Sequence, residues 1–157
     1  ANTLGFEFVD IDKAIEHQTG KTVREIFKDS GEEYFRTLER SLIQELLMKE
    51  HMVVSLGGGT IADPVNFSVI RDSGILVYLK TSPEQLFKRL HYKSDRPILV
   101  DIAGDRLSEE ALRLRIQELY ARREQFYEQA DIIISTDEHK VGITVDKIVK
   151  GLSGVLD

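Results

Sequence analysis

His51-Met52-Val53-Val54-Ser55-Leu56-Gly57-Gly58-Gly59-Thr60 decides how the rest of the chain is read. Val53 and Val54 sit in a short apolar run with β-branched residues, and three glycines stop it. Such a run reads as a strand buried on both faces, as in a parallel sheet. Glycine carries no Cβ, so the triplet reads as a turn where backbone comes close to another group. In an open α/β sheet, ligands collect beyond the carboxyl ends of the strands. The triplet is therefore a candidate ligand cradle, with a connector before Asp63 as the other reading.

The flanking segments extend the pattern. Asp63-Pro64 predicts a helix ending near Gly74, with proline in the first turn. On the other side, Glu32 opens a helix to about Lys49, with an apolar stripe of Phe35, Leu38, Leu42, Leu46 and Leu47. Arg36 and Glu39 lie three apart on it and can pair. That pair is either a solvated surface contact or an anion-binding arginine held rigid by its partner. Further back, Ala1 to Leu4 reads as the last turn of a helix stopped by Gly5. Phe6 to Val9 alternates as a strand, with Asp10-Ile11-Asp12 at its end. Asp12 is placed to begin a helix over Lys13 to Gln18, stopped by Gly20. Two carboxylates at a strand end can hold a hydrated cation or accept a proton from a hydroxyl. Capping and solvation are the plainer alternatives.

Gly20-Lys21-Thr22 imitates the tail of a Walker A motif, but Ile15 stands where the earlier glycine belongs. The setting is helix, turn, helix, so Thr22 reads as the cap of a helix over Val23 to Ser30, ended by Gly31. Ile75 to Leu79 is a second continuous apolar strand. Ser82-Pro83-Glu84-Gln85 starts a helix to about Leu90 that carries Arg89 near its end. Residues 91–104 have few periodic apolar positions, several charges and Arg96-Pro97 in the middle. A segment of that kind reads as a lid closing over a substrate. Ser108 begins a long helix, Asp131 to Ser135 is another strand, and Val141 to Leu156 is a closing amphipathic helix. Strands alternating with helices in this order predict a doubly wound α/β fold.

Composition bounds the function. A net charge of −6 argues against a general nucleic-acid surface. With no cysteine there are no disulfides or thiolate metal sites. The 4 histidines lack metal-ligand spacing. No apolar run has the length to span a bilayer, and the first residues do not form a signal peptide.

Taken together, several blocks make the chain resemble shikimate kinase, a small P-loop kinase of aromatic amino-acid biosynthesis. They are Phe8-Val9-Asp10-Ile11-Asp12, the run from Ile26 to Glu39 containing Gly31-Glu32-Glu33-Tyr34-Phe35-Arg36, Val53 to Gly59, and Asp95-Arg96-Pro97-Ile98-Leu99. Arg123-Glu124-Gln125-Phe126-Tyr127, followed by Ala130-Asp131, is a weaker fifth. The resemblance covers essentially all of residues 1–157 and implies a three-layer parallel sheet flanked by helices, of the P-loop NTPase and nucleoside-monophosphate-kinase type. It implies transfer of the ATP γ-phosphoryl group to the 3-hydroxyl of shikimate, with Mg2+.

Residue by residue, the resemblance implies that Asp12 binds substrate hydroxyls and acts as base. Arg36, oriented by Glu39, and Arg123 bind the carboxylate. Gly57, Gly58 and Gly59 bring backbone N–H groups to the substrate, and Phe27 and Phe35 wall the ring. Asp10 acts on the metal through water, Arg96 reaches the phosphates and Arg89 lies against adenine. A monomer in the cytoplasm is expected, or in a plastid if a transit peptide has been lost.

Two departures qualify the match. The phosphate-binding P-loop, which in the family precedes the helix whose tail would be Ala1 to Leu4, is not within residues 1–157. One strand, the loop and most of a helix amount to roughly 25–30 residues on the scale of a βα unit. A chain confined to 1–157 is expected to lack activity without them, and to expose strand edges. Second, Gln125 stands where the family usually has proline, and counting from Ala130 selects Arg122 instead of Arg123. Two other functions remain as alternatives: a catalytically inactive, shikimate-kinase-like binding or regulatory module, and a gluconate-type kinase of similar fold.

Overall fold

The computed structural model describes residues 1–91, 99–100, 105–137 and 141–156. It divides into two compact units, Ala1–Gly74 and Ile75–Asp157. Strands and helices alternate along the chain as the sequence predicts, and every strand pair among the described residues is parallel.

In the first unit, a 3-10 turn over Asn2–Leu4 is stopped by Gly5 in the left-handed region. Strand β1 (Glu7–Asp10) leads into helix α1 (Ile11–Thr19). The cap of α1 is Asp10, not Asp12: the Asp10 side chain accepts a hydrogen bond from Lys13 N at 3.1 Å. Asp10 is still paired as the last strand residue, and the helix begins directly after it at Ile11, two residues earlier than predicted, so Asp12 falls within its first turn. Gly20 closes α1 with φ 69°.

Helix α2 (Val23–Leu46) starts with a full capping box. Thr22 accepts from Glu25 N, and the Glu25 carboxylate accepts from Thr22 N. Lys21 pairs with Asp29 at 2.7 Å. The Walker-like tripeptide is thus a helix–turn–helix joint. Gly31, at φ 83° and ψ 171°, breaks α2 where the sequence predicts a stop. That geometry suits glycine.

Strand β2 (Met52–Ser55) pairs with β1 in parallel register, Glu7 opposite Met52 and Asp10 opposite Ser55. Its residues are half-buried, not fully buried on both faces as its apolar run suggests. Helix α3 (Pro64–Ser73) follows, capped by Asp63, whose Oδ1 accepts from Val65 N and Asn66 N. Ile11, Ile15, Ile26, Phe35, Ile43 and Leu46 form the core of this unit. Burying apolar side chains of this size supplies the main stabilisation.

The second unit repeats the logic. Strand β3 (Val77–Lys80) pairs in parallel with β4 (Ile132–Ser135), Lys80 opposite Ser135. Helix α4 (Pro83–His91) packs on α5 (Glu109–Tyr127) around Phe87, Leu99, Leu112 and Ile116. Helix α6 (Val141–Leu156) packs on β4, where Gly151 lies against Ile132. Most of the 91–104 segment, Arg96 included, lies outside the described residues. No described helix is long and apolar enough to cross a membrane.

Candidate functional site

The site in the first unit follows from one register. Because β1 and β2 are parallel with Asp10 beside Ser55, their carboxyl ends finish together. The first turn of α1 and the glycine turn after β2 therefore leave the sheet side by side. A β-carbon placed on Gly57 would lie 3.3 Å from Asp12 Oδ1, 3.6 Å from Glu39 Oε1 and 3.1 Å from Thr60 Oγ1. Placed on Gly59 it would lie 2.6 Å from Arg36 Nη2. Asp12, Arg36, Glu39 and the glycine turn, chosen from sequence, thus converge on one place.

The turn is pinned by its own backbone. Thr60 N donates to Gly57 O at 3.0 Å, and Ala62 N to Gly59 O at 3.2 Å. Gly58 forms the exposed crest, while Gly57 and Gly59 are half-buried. The close approach of the guanidinium explains why position 59 carries no side chain.

Arg36 is held from two sides. Its Nη1 donates to Glu39 Oε2 at 2.5 Å, and its Nη2 donates to Glu32 Oε1 at 2.7 Å. The Arg36 side chain is 17% exposed, the Glu32 side chain 64%. Glu39 is fully buried, so the pair is no solvated surface contact. Burial works against the Arg36 charge. The hydrogen bonds and charges of Glu39 and Glu32 outweigh it and raise the guanidinium above its ordinary pKa. The arginine is thus a fixed cation with one end on an inner carboxylate and the other on an outer one. Its Cζ stands 5.5 Å from the centre of the Phe35 ring. Phe35 is itself buried in the core and tilts against half-buried Phe27, with centroids 5.1 Å apart. Of the two rings named from sequence, Phe35 supports and Phe27 keeps open surface.

Sequence reasoning missed the residues that hold this arrangement. Thr60 is fully buried and donates from Oγ1 to Glu39 Oε1 at 2.5 Å. Asn66, also buried, donates to Thr60 O at 3.3 Å. Arg40 Nη2 reaches Asp63 Oδ2 at 2.7 Å and fastens α2 to the start of α3. Asp63-Pro64 was legible as a helix start; the partner 23 residues away was not. An open cavity of about 280 Å³ lies elsewhere in this unit, between the end of α1 and α2, lined by Gln18, Thr19, Lys21, Ile26 and Tyr34 among others. It includes none of the residues above, and its lysine is already paired with Asp29.

In the second unit, the ends of β3 and β4 are tied by Asp137. It accepts from Thr81 Oγ1 and from Ser82 N, the latter at 3.0–3.1 Å. The hydrogen bond from Thr81 leads in drawing its carboxyl below the ordinary range. Arg89, exposed near the end of α4, donates to Thr136 O at 3.1 Å and Thr136 Oγ1 at 3.3 Å. Arg123 is half-buried on α5 and hydrogen-bonds Tyr127, whereas Arg122 is exposed. Tyr127 stacks on Tyr78 with ring centres 4.9 Å apart. Burial pushes the Tyr127 hydroxyl up in pKa against the opposing pull of Arg123. Of the two neighbouring arginines, Arg123 is therefore the one the fold holds in place.

The family model for shikimate kinase (SKI) matches residues 1–153. The curated shikimate kinase of Chlorobium chlorochromatii is 45% identical over 150 residues, which are 96% of this chain and 79% of that one. That of Chlorobaculum parvum is 45% identical over 150 residues, 96% of this chain and 80% of its own. Among solved structures, shikimate kinase from Acinetobacter baumannii in complex with shikimate matches with a TM-score of 0.88 at 31% identity, over 98% of this chain and 82% of that one. Shikimate kinase from Bacteroides thetaiotaomicron matches with a TM-score of 0.82 at 34% identity, over 99% and 86%. A family match that runs from the first residue to within four of the last, on a fold whose predicted strands and helices are all found, leads to one assignment: the chain belongs to the shikimate kinase family.

Proposed function

We propose that the protein transfers the γ-phosphoryl group of ATP to the 3-hydroxyl of shikimate, giving shikimate 3-phosphate and ADP on the route to chorismate and the aromatic amino acids. The observation that carries this reading is the cluster of Asp12, Arg36 and the glycine turn, in which Arg36 Nη2 already holds a carboxylate, that of Glu32. Shikimate is a carboxylate with three ring hydroxyls. A guanidinium suits the acid, and a carboxylate with backbone N–H groups suits the hydroxyls.

In this reading the substrate carboxylate takes the place of Glu32 on Arg36, and Arg123 supplies a second guanidinium. Asp12 accepts hydrogen bonds from ring hydroxyls and takes the proton of the attacking 3-hydroxyl as its oxygen bonds to phosphorus. Gly57, Gly58 and Gly59 let backbone approach the ring, with Phe27 against its face and Phe35 behind. Arg89 lies along adenine and Arg96 meets the phosphates. Excluding water from the site prevents loss of the phosphoryl group to hydrolysis.

Mg2+ fits Asp10 as a water-mediated ion. One Asp10 oxygen caps α1, and no group of three candidate ligands stands together among the described residues. Mg2+ commonly keeps several waters and takes its other ligands from substrate phosphates, so no protein cage is needed. When bound it would offset charge on the β- and γ-phosphates. A cytoplasmic monomer completes the proposal.

Shikimate-dependent release of ADP, followed in a coupled assay of the protein with its P-loop segment present and with gluconate as comparison, tests the reading. Release with shikimate alone is expected. No release, or equal release with gluconate, contradicts it. Asp12→Asn is expected to cut turnover at least about a hundredfold with the melting temperature unchanged, the scale of a lost general base. Near-parental turnover would remove Asp12 from that role.

A further inference from the structure

Thr60 sits at the end of the glycine turn with its backbone fixed from several directions. Its N–H donates to Gly57 O at 3.0 Å, and its carbonyl accepts from Asn66 Nδ2 at 3.3 Å and Asp63 N at 3.4 Å. Its hydroxyl has one proton, and that proton goes to Glu39 Oε1. Both residues are fully buried. Glu39 therefore divides its carboxylate: one oxygen on Thr60, the other on Arg36 Nη1. This division leaves Arg36 Nη2 for an outer carboxylate, now that of exposed Glu32 at 2.7 Å.

A carboxylate and a guanidinium prefer to meet through two parallel hydrogen bonds. Glu39, buried beside Arg36 and turning easily about its last torsion, would take both Nη groups if nothing held Oε1. We propose that Thr60 is a positioning residue for substrate recognition: its hydroxyl retains Glu39 Oε1, keeps Glu39 on one edge of Arg36, and so reserves the Nη2 edge for the substrate carboxylate. This rests on the reading of Arg36 as the carboxylate ligand. The role is one of selectivity for an acid over a neutral ligand, because the Thr60 hydroxyl donates only to Glu39 and reaches the ligand through Arg36. The backbone hydrogen bonds of Thr60, which every side-chain variant keeps, hold the glycine turn itself. The residue that ends the turn is the one bonded to the partner of Arg36.

The test is calorimetric binding of shikimate and of its methyl ester, which keeps the ring and hydroxyls but has no charge. Thr60→Val keeps the volume and removes the hydroxyl. It is expected to weaken shikimate about tenfold, the scale of one charge-assisted hydrogen bond lost from the Nη2 edge, and to leave the ester within about twofold. Thr60→Ser, which keeps the hydroxyl, is expected to stay within about threefold of the parent for both ligands. If the valine variant folds poorly, Thr60→Cys, with its weak S–H donor, is expected to show a smaller loss confined to the acid. Equal losses for acid and ester, a loss in serine matching that in valine, or no loss in whichever hydroxyl-free variant folds overturns the inference. Arg36→Met serves as the separate control. If it leaves the preference for acid over ester intact, the Arg36 reading has failed. If it erases that preference while the Thr60 variants do not shift it, only the Thr60 inference has failed.

Discussion

A β-carbon at Gly59 would stand 2.6 Å from Arg36 Nη2, inside any real contact distance, and a tight 3.0 Å from Nη1. The backbone there is not left-handed, so alanine fits the chain but not the guanidinium. Gly59→Ala is therefore expected to fold with a melting temperature close to the parent and to weaken shikimate binding about tenfold or more, because Arg36 must leave its place. A large fall in melting temperature with unchanged affinity would contradict this. At this scale the sequence was readable where a residue type has few other uses. A glycine triplet after an apolar run and an arginine three residues before a glutamate both pointed to residues that the fold brings together. The Asp10–Asp12 pair was readable as a pair but not in its division of labour. Either aspartate can cap a helix, and only the pairing of Asp10 with Ser55 decides which does. Thr60 carried no local sign, since its partner Glu39 is 21 residues earlier.

Apart from the start of α1 and the end of α2, helix boundaries were legible because capping is local chemistry. Thr22 with Glu25, Asp63 with Pro64, Ser108 at α5, and the stops at Gly20 and Gly31 each act within a few residues. What was not legible is how capped elements fasten to others. Asp63 both caps α3 and receives Arg40 from α2. Burial pushes its carboxyl up, but Arg40 and the α3 amides outweigh this and leave it below the ordinary value. Its ionised form therefore stabilises the fold fully above the ordinary carboxylate pKa, and that contribution is lost as pH falls through the depressed folded value. Asp63→Asn keeps the cap and removes the charge. It is expected to cost about 1 kcal/mol near neutral pH. The gap between variant and parent should hold down to roughly pH 5 and close below about pH 4. Thermal melts across that range check the sign; a gap that widens in acid would contradict it.

For the molecule as a whole, parallel pairing is what turns sequence positions far apart into one site. Strands that run the same way end on the same side, so β1 and β2 bring residues 12 and 57 together, and β3 and β4 bring Thr81 to Asp137. The alternation of strands and helices made that class of fold readable before any coordinates. The half-buried state of β2 was not readable, because an apolar run states what a strand tolerates and not what covers it. The account stands on Arg36 as the fixed cation that selects a carboxylate ligand. Calorimetric titration of shikimate into the parent protein and into Arg36→Met, with melting curves confirming that both are folded, tests it most directly. The account predicts saturable binding to the parent and a loss of about thirtyfold or more in the variant, the scale of a charge-assisted pair. Equal affinity in the two proteins would contradict it.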